Sequence, residues 1–118
     1  MWPSIFAIFF GAGFGALFRA GFNFLAAGTA SVVPLGTLLA NLVGGYLVGI
    51  AIAFFGNNPN LPPEWKLFVI TGFLGGLTTF SSFSGESLSL LQRGDVGWAA
   101  AHALAHLLGA LLFCAAGF

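Results

Sequence analysis

The stretch that decides the fold is residues 71–86, Thr71-Gly72-Phe73-Leu74-Gly75-Gly76-Leu77-Thr78-Thr79-Phe80-Ser81-Ser82-Phe83-Ser84-Gly85-Glu86. It lies inside a longer apolar run from Trp65 to about Leu91, long enough to cross a bilayer, which takes about 20 predominantly apolar residues. Its middle is a poor recipe for continuous helix. Gly75-Gly76 is followed at once by Thr78-Thr79, and an interior Gly costs about 1 kcal/mol relative to Ala. We expect the helix to break between Gly75 and Thr79. A break inside a membrane exposes backbone amides and carbonyls, which lipid tolerates only where they line a cavity or bind an ion.

Working outward, three further apolar runs flank this one. Ser4 to about Ala27 is interrupted only by Arg19. Gly28-Thr29-Ala30-Ser31 reads as a turn, and Val32 to Phe55 follows as the second run. Residues 56–64 are a cluster of turn formers, Gly56-Asn57-Asn58-Pro59-Asn60-Leu61-Pro62-Pro63-Glu64, and read as a loop. After the third run, Gln92-Arg93-Gly94-Asp95 is a tight polar turn in which Asp95 is placed to cap the last helix, Val96 to Phe118. The expected fold is an all-α membrane protein of one transmembrane domain, residues 1–118, with spans at about 4–27, 32–55, 65–91 and 96–118 and the third broken mid-membrane.

Composition agrees. Of 118 residues 58% are hydrophobic and only 5% charged, against about 25% charged in a typical soluble domain. Too few charges remain to cover a water-facing surface. Disorder needs low hydrophobicity, and the 18 glycines show no collagen-like period. The start, Met1-Trp2-Pro3-Ser4, lacks the basic segment of a removable signal peptide. Zero net charge leaves no electrostatic footprint for nucleic acid. The single cysteine, Cys114, has no intrachain disulfide partner and reads as a small hydrophobe.

Orientation is weakly encoded. Lys66 lies on one side of the membrane, and Arg93, with Arg19 if it nears the end of span one, on the other. Positive charge in the loops normally sets which way up a chain inserts. With this balance both orientations are expected, and a chain inserted both ways forms an antiparallel homodimer about an axis in the membrane plane. Four small helices are also too few to enclose a polar pathway alone. Gly11 and Gly15, and Gly36, Ala40 and Gly44 with Gly45 and Gly49, form stripes of small residues that read as helix-packing faces.

Polar groups inside the spans need an explanation. Asn41 either bonds across helices or lines a pathway. Arg19 either snorkels to the span end or lines an aqueous vestibule. Carbonyls freed near Gly75 and Thr78 suit a monovalent cation such as Na⁺. A phosphate-binding loop is excluded, because no Lys follows the glycines. Phe80 and Phe83 share a helical face, with Ser81 and Ser84 on the next. Two such rings are ordinary packing residues unless their company says otherwise. A phenyl ring has a positive edge, so ring edges can face a small anion without trapping it. Ring edges, the Asn41 amide and the serine hydroxyls together offset the cost of dehydrating an anion.

The run Gly72 to Ser84 resembles the signature of the Fluc (CrcB) fluoride channels. Gly36-Thr37-Leu38-Leu39-Ala40-Asn41-Leu42-Val43-Gly44 and Gly15-Ala16-Leu17-Phe18-Arg19 are similar to its motifs in spans two and one. The resemblance covers the chain, and it implies an antiparallel dual-topology homodimer in the bacterial plasma (inner) membrane. Two interfacial pores would let F⁻ leave the cytoplasm passively and so relieve fluoride toxicity; no enzymatic activity or organic cofactor is implied. It assigns the pore to Phe80, Phe83, Asn41 and the neighbouring Thr79, Ser81 and Ser84, and a central Na⁺ to the backbone carbonyls of Gly75 and Thr78 from both subunits. Arg19 and Glu86 match charged positions of the family. Where relatives run a polar track down the fourth helix, this chain has His102, His106, Ala110 and Cys114. The histidines read as anion donors, as proton carriers or as neutral packing residues. As metal ligands they lack an acidic third partner in the sequence pattern. A small dual-topology multidrug exporter, also of four spans and antiparallel, is the alternative, but it needs a carboxylate in span one, where this chain has Arg19 and no acid. A non-transporting packing protein would leave the broken span unexplained.

Overall fold

The computed structural model describes residues 1–28 and 33–118. Thr29, Ala30 and Ser31 of the expected first turn, and Val32 at the expected start of span two, lie outside the described residues. The described chain is all helical, with four helices long and apolar enough to cross a membrane. These are α1 (Trp2–Ala26), α2 (Leu35–Asn57), the divided third span Pro63–Gln92, and a last helix, Val96–Gly117. The third span consists of α3 (63–77) and α4 (Ser81–Gln92), so the last helix is α5.

Helix ends follow from local chemistry. Pro3 and Pro63 fall in first turns, where the missing N–H is one that no helical carbonyl would accept. At the far end of α4, Gly94 has φ 80° and gives its N–H to the Leu91 carbonyl, while the Asp95 N–H reaches Leu90 at 2.9 Å. This pair of bonds closes the helix in a Schellman motif, which a left-handed glycine makes cheap. Asp95 does precede α5, but its side chain makes no capping bond. It lies instead 3.9 Å from Arg93 in an exposed ion pair.

The break is sharper than the glycines suggest. Gly75 keeps helical dihedrals, φ −63° and ψ −35°, and Gly76 and Leu77 continue the helix. The turn-out comes at Thr78, which is extended at φ −86° and ψ 155°. The glycines serve contact instead. A Cβ on Gly76 would stand 2.5 Å from the Ala12 carbonyl oxygen, and one on Gly15 would strike the Phe73 carbonyl and come within 2.7 Å of the Leu77 nitrogen. Upstream, Leu67–Leu74 is π-wound, a wider turn that often accompanies functional sites.

Packing is inverted relative to a water-soluble domain. Small residues and a few leucines are inside: Ala40, Ala51, Leu74 and Leu77 form the core cluster, while most phenylalanines face outward. α1 packs on α3 and α2 on α5. Lipid supplies no hydrophobic force between helices, so close contact through small residues holds them together. Trp2, Trp65 and Trp98 are exposed in the first turns of α1, α3 and α5. Because successive spans alternate in direction, they mark both interfaces, the usual place for Trp in a membrane protein.

Gly15→Val is expected to destabilise the protein by about 1–3 kcal/mol or more through overpacking. Gly13→Val, at a position with nothing within 4 Å, controls for helix propensity and should have little effect. Thermal unfolding in detergent, followed by circular dichroism, reads the difference; equal effects would contradict the packing described.

Candidate functional site

The site is built where α3 stops. In an unbroken helix the Thr79 N–H would go to the Gly75 carbonyl. Here it goes to Asn41 Oδ1 on α2 at 2.8 Å, and Asn41 Nδ2 donates back to the Thr79 carbonyl at 3.1 Å. One amide side chain thus satisfies both backbone groups of the residue in the gap. Thr79 helps restart the helix: its Oγ1 accepts the Ser82 N–H at 3.2 Å, a bond that would otherwise reach the Thr78 carbonyl. The carbonyls of Gly75 and Thr78 are thereby both released from their helical partners. Arg19 on α1 reaches this end of α3. Its Nε donates to the Gly76 carbonyl at 3.1 Å, placing a cation at the C-terminal end of α3, where free carbonyls and the helix dipole favour positive charge.

The second hydrogen on Asn41 Nδ2 faces His106 Nδ1 at 2.9 Å. Thr79 fixes the amide orientation, because flipping it would oppose donor to donor and acceptor to acceptor. Nδ1 must therefore accept, and the ring proton sits on Nε2. Asn41, Thr78, Thr79, Phe80, Phe83 and His106 line one open groove of about 600 Å³, with Ala110 and Cys114 further along it. Phe80 is 78% exposed, and its ring lies 5.6 Å from that of Phe83. Ser81 and Ser84 are not among the groove residues. Ser84 Oγ donates to the Phe80 carbonyl at 2.9 Å, and Ser81 Oγ lies 3.1 Å from Thr79 Oγ1.

Phe83 separates the groove from a buried polar cluster. It stacks on His102 with centroids 5.0 Å apart and meets His106 at 4.7 Å. His102 is therefore behind the groove wall rather than in it, and is fully buried. Glu86 on α4 reaches the same place: its Oε1 is 3.5 Å from His102 Nε2, and its Oε2 accepts the Thr37 hydroxyl at 2.6 Å. The acidic neighbour missing from the fourth-helix pattern is thus supplied by α4. Thr37 was not foreseen. Its position four residues before Asn41, on the same face of α2, is the signal that would have found it.

Asn41→Leu is expected to destabilise the protein by about 2–6 kcal/mol, since it leaves both backbone groups of Thr79 without partners at roughly 1–3 kcal/mol each. Asn41→Asp, as the neutral acid, keeps an acceptor for the N–H and one O–H donor for the carbonyl but loses the second N–H to His106, and should fall between. Denaturant or thermal unfolding in detergent checks the order; an Asp variant no better than the Leu variant would contradict the two-way pairing.

Comparison with known proteins places the chain in a family. The family described as "CrcB-like protein, Camphor Resistance (CrcB)" matches residues 6–118. A protein of Polynucleobacter asymbioticus named fluoride-specific ion channel FluC is 66% identical over 117 residues, covering 99% of this chain and 94% of the relative. Proteins of the same name from Cupriavidus pinatubonensis and Pseudomonas aeruginosa are 55% and 54% identical, over 94% and 99% of this chain and 88% and 92% of the relatives. With a family match over nearly its whole length and relatives this similar, the chain belongs to the CrcB-like family.

Proposed function

We propose that this chain is a subunit of a fluoride-selective channel, not an enzyme, through which F⁻ leaves the cytoplasm down its electrochemical gradient. The observation that carries the reading is the open groove, where the Asn41-held break sets Phe80 and Phe83 side by side. The relatives, named as fluoride-specific channels, supply the ion. Ring edges carry partial positive charge and suit a small, strongly hydrated anion without a fixed cation that would hold it. Both N–H groups of Asn41 are engaged within the protomer, so Asn41 contributes by shaping the wall. His106 lines that wall, His102 backs it through Phe83, and Thr79, Ser81 and Ser84 lie at the restart of the helix.

The groove is open along one side, and the outward ring of Phe80 has little to pack on within the protomer. Both features support closure by a second copy. The near-even balance of Lys66 against Arg19 and Arg93 supports an antiparallel, dual-topology homodimer in the bacterial plasma membrane. The released carbonyls of Gly75 and Thr78 are hard oxygen donors of the kind Na⁺ takes, and two chains would offer four. Such an ion would hold the two breaks together, with Arg19 the charged group at the end of α3. Passive flow is protective because HF crosses lipid and dissociates inside to H⁺ and F⁻, leaving the anion to be removed.

Liposomes containing the purified protein and loaded with fluoride test this directly. F⁻ efflux under an ionophore-clamped potential, without matching Cl⁻ efflux, is expected; absent efflux or equal chloride flux would sink the proposal. Phe80→Ile and Phe83→Ile should each abolish flux in an intact dimer, and replacing Na⁺ by a much larger cation should weaken dimer or flux. Full flux in both variants would remove the aromatic argument.

A further inference from the structure

Among the described residues, four buried polar side-chain atoms have no hydrogen-bond partner: Glu86 Oε1, His102 Nδ1, His102 Nε2 and His106 Nε2. All belong to one cluster, in which ligand atoms of Glu86, His102 and His106 lie within 4.8 Å of one another. Native proteins rarely leave such atoms unpaired, and a group of them calls for an unseen occupant. We propose that Glu86, His102 and His106 form a binding site for one divalent transition-metal cation of zinc-like chemistry. This proposal does not depend on what passes along the groove.

Two imidazoles and one carboxylate are a known zinc donor set that leaves a fourth position open for water. The spacing suits it. With metal–ligand bonds of about 2.0–2.1 Å, two ligands at tetrahedral positions stand about 3.3–3.4 Å apart. Glu86 Oε1 and His102 Nε2 are already 3.5 Å apart, slightly long for a hydrogen bond. The surroundings orient the ligands, as outer partners do in metal sites. The Thr37 hydroxyl occupies Glu86 Oε2 and leaves Oε1 free, and the Phe83 ring is packed against both imidazoles. His102 is 0% and His106 5% exposed, whereas the Glu86 side chain is 20% exposed and forms the entry side. Glu86 is six residues from the end of α4, roughly 9 Å along the axis, where charge costs less than at the bilayer centre.

One feature opposes the metal and makes its binding distinctive. His106 Nδ1 accepts from Asn41, so Nε2 carries the proton. Ligation through Nε2 moves that proton to Nδ1 and breaks the Asn41–His106 bond. A neutral hydrogen bond is lost and the two N–H groups must move apart, against which stands a coordination bond, much the stronger.

The test is a titration of tag-free, metal-stripped, full-length protein in detergent with Co²⁺. The expected result is the intense visible absorption of tetrahedral cobalt, saturating at one per chain and abolished by Zn²⁺. Glu86→Gln and His102→Ala should each weaken binding by about tenfold or more. No tetrahedral spectrum in the wild-type protein, the result if the cluster holds only water, would overturn the proposal. So would a spectrum unchanged in both variants. The wild-type titration needs no substitution, so a folding defect in a variant leaves the test standing, and no ion flux is read.

Discussion

The structure depends on the pairing of one side chain with one backbone unit, Asn41 with Thr79. A helix interrupted within a bilayer leaves amides and carbonyls that lipid cannot satisfy, at several kcal/mol for each group. A carboxamide is the one neutral side-chain group that mirrors a peptide, offering a donor and an acceptor together. With both groups of Thr79 satisfied, the chain can leave the helix at Thr78 and resume at Ser81. The consequences spread from there. The Gly75 and Thr78 carbonyls are freed, Phe80 turns outward, Phe83 covers the histidines, and the tautomer of His106 is set.

That pairing needs α2 and α3 within reach of each other, and the small residues provide the approach. Gly15 and Gly76 let α1 and α3 touch backbone to backbone, which brings Arg19 to the Gly76 carbonyl. On the other flank, a Cβ on Gly44 would strike the Thr78 methyl, so its absence lets α2 seat against the turn-out. The break is thus held from both sides, by a cation on the end of α3 and an amide on the gap. Both holds come from side chains on other helices, so the interruption is a tertiary feature and not a local one.

Much of this was legible in the sequence, and the parts that were not share a cause. Four apolar runs were enough for four helices, and the Gly-Gly-Leu-Thr-Thr composition located the interruption to within a few residues. The turn-out at Thr78 falls inside the expected interval, Gly75 to Thr79, but the glycines themselves were read for low helix propensity, whereas both stay helical and Gly76 is there for contact with Ala12. Asn41 stood out as a polar residue inside a span, but its partner lies 38 residues away and only packing reveals it. The same holds for the carboxylate beside His102. The i,i+4 histidines are visible on one helix, while Glu86 and Thr37 come from two others. Asp95 shows the opposite failure, since a residue well placed to cap made an exposed ion pair instead.

The central claim is that Asn41 holds Thr79 outside the helix by direct hydrogen bonds. Amide hydrogen exchange of the full-length protein in lipid measures this at the residue concerned. Slow exchange at the Thr79 N–H, comparable to amides in the middle of α5 although Thr79 lies outside any helix, is the predicted result. Exchange at the rate of an open loop amide would contradict the account.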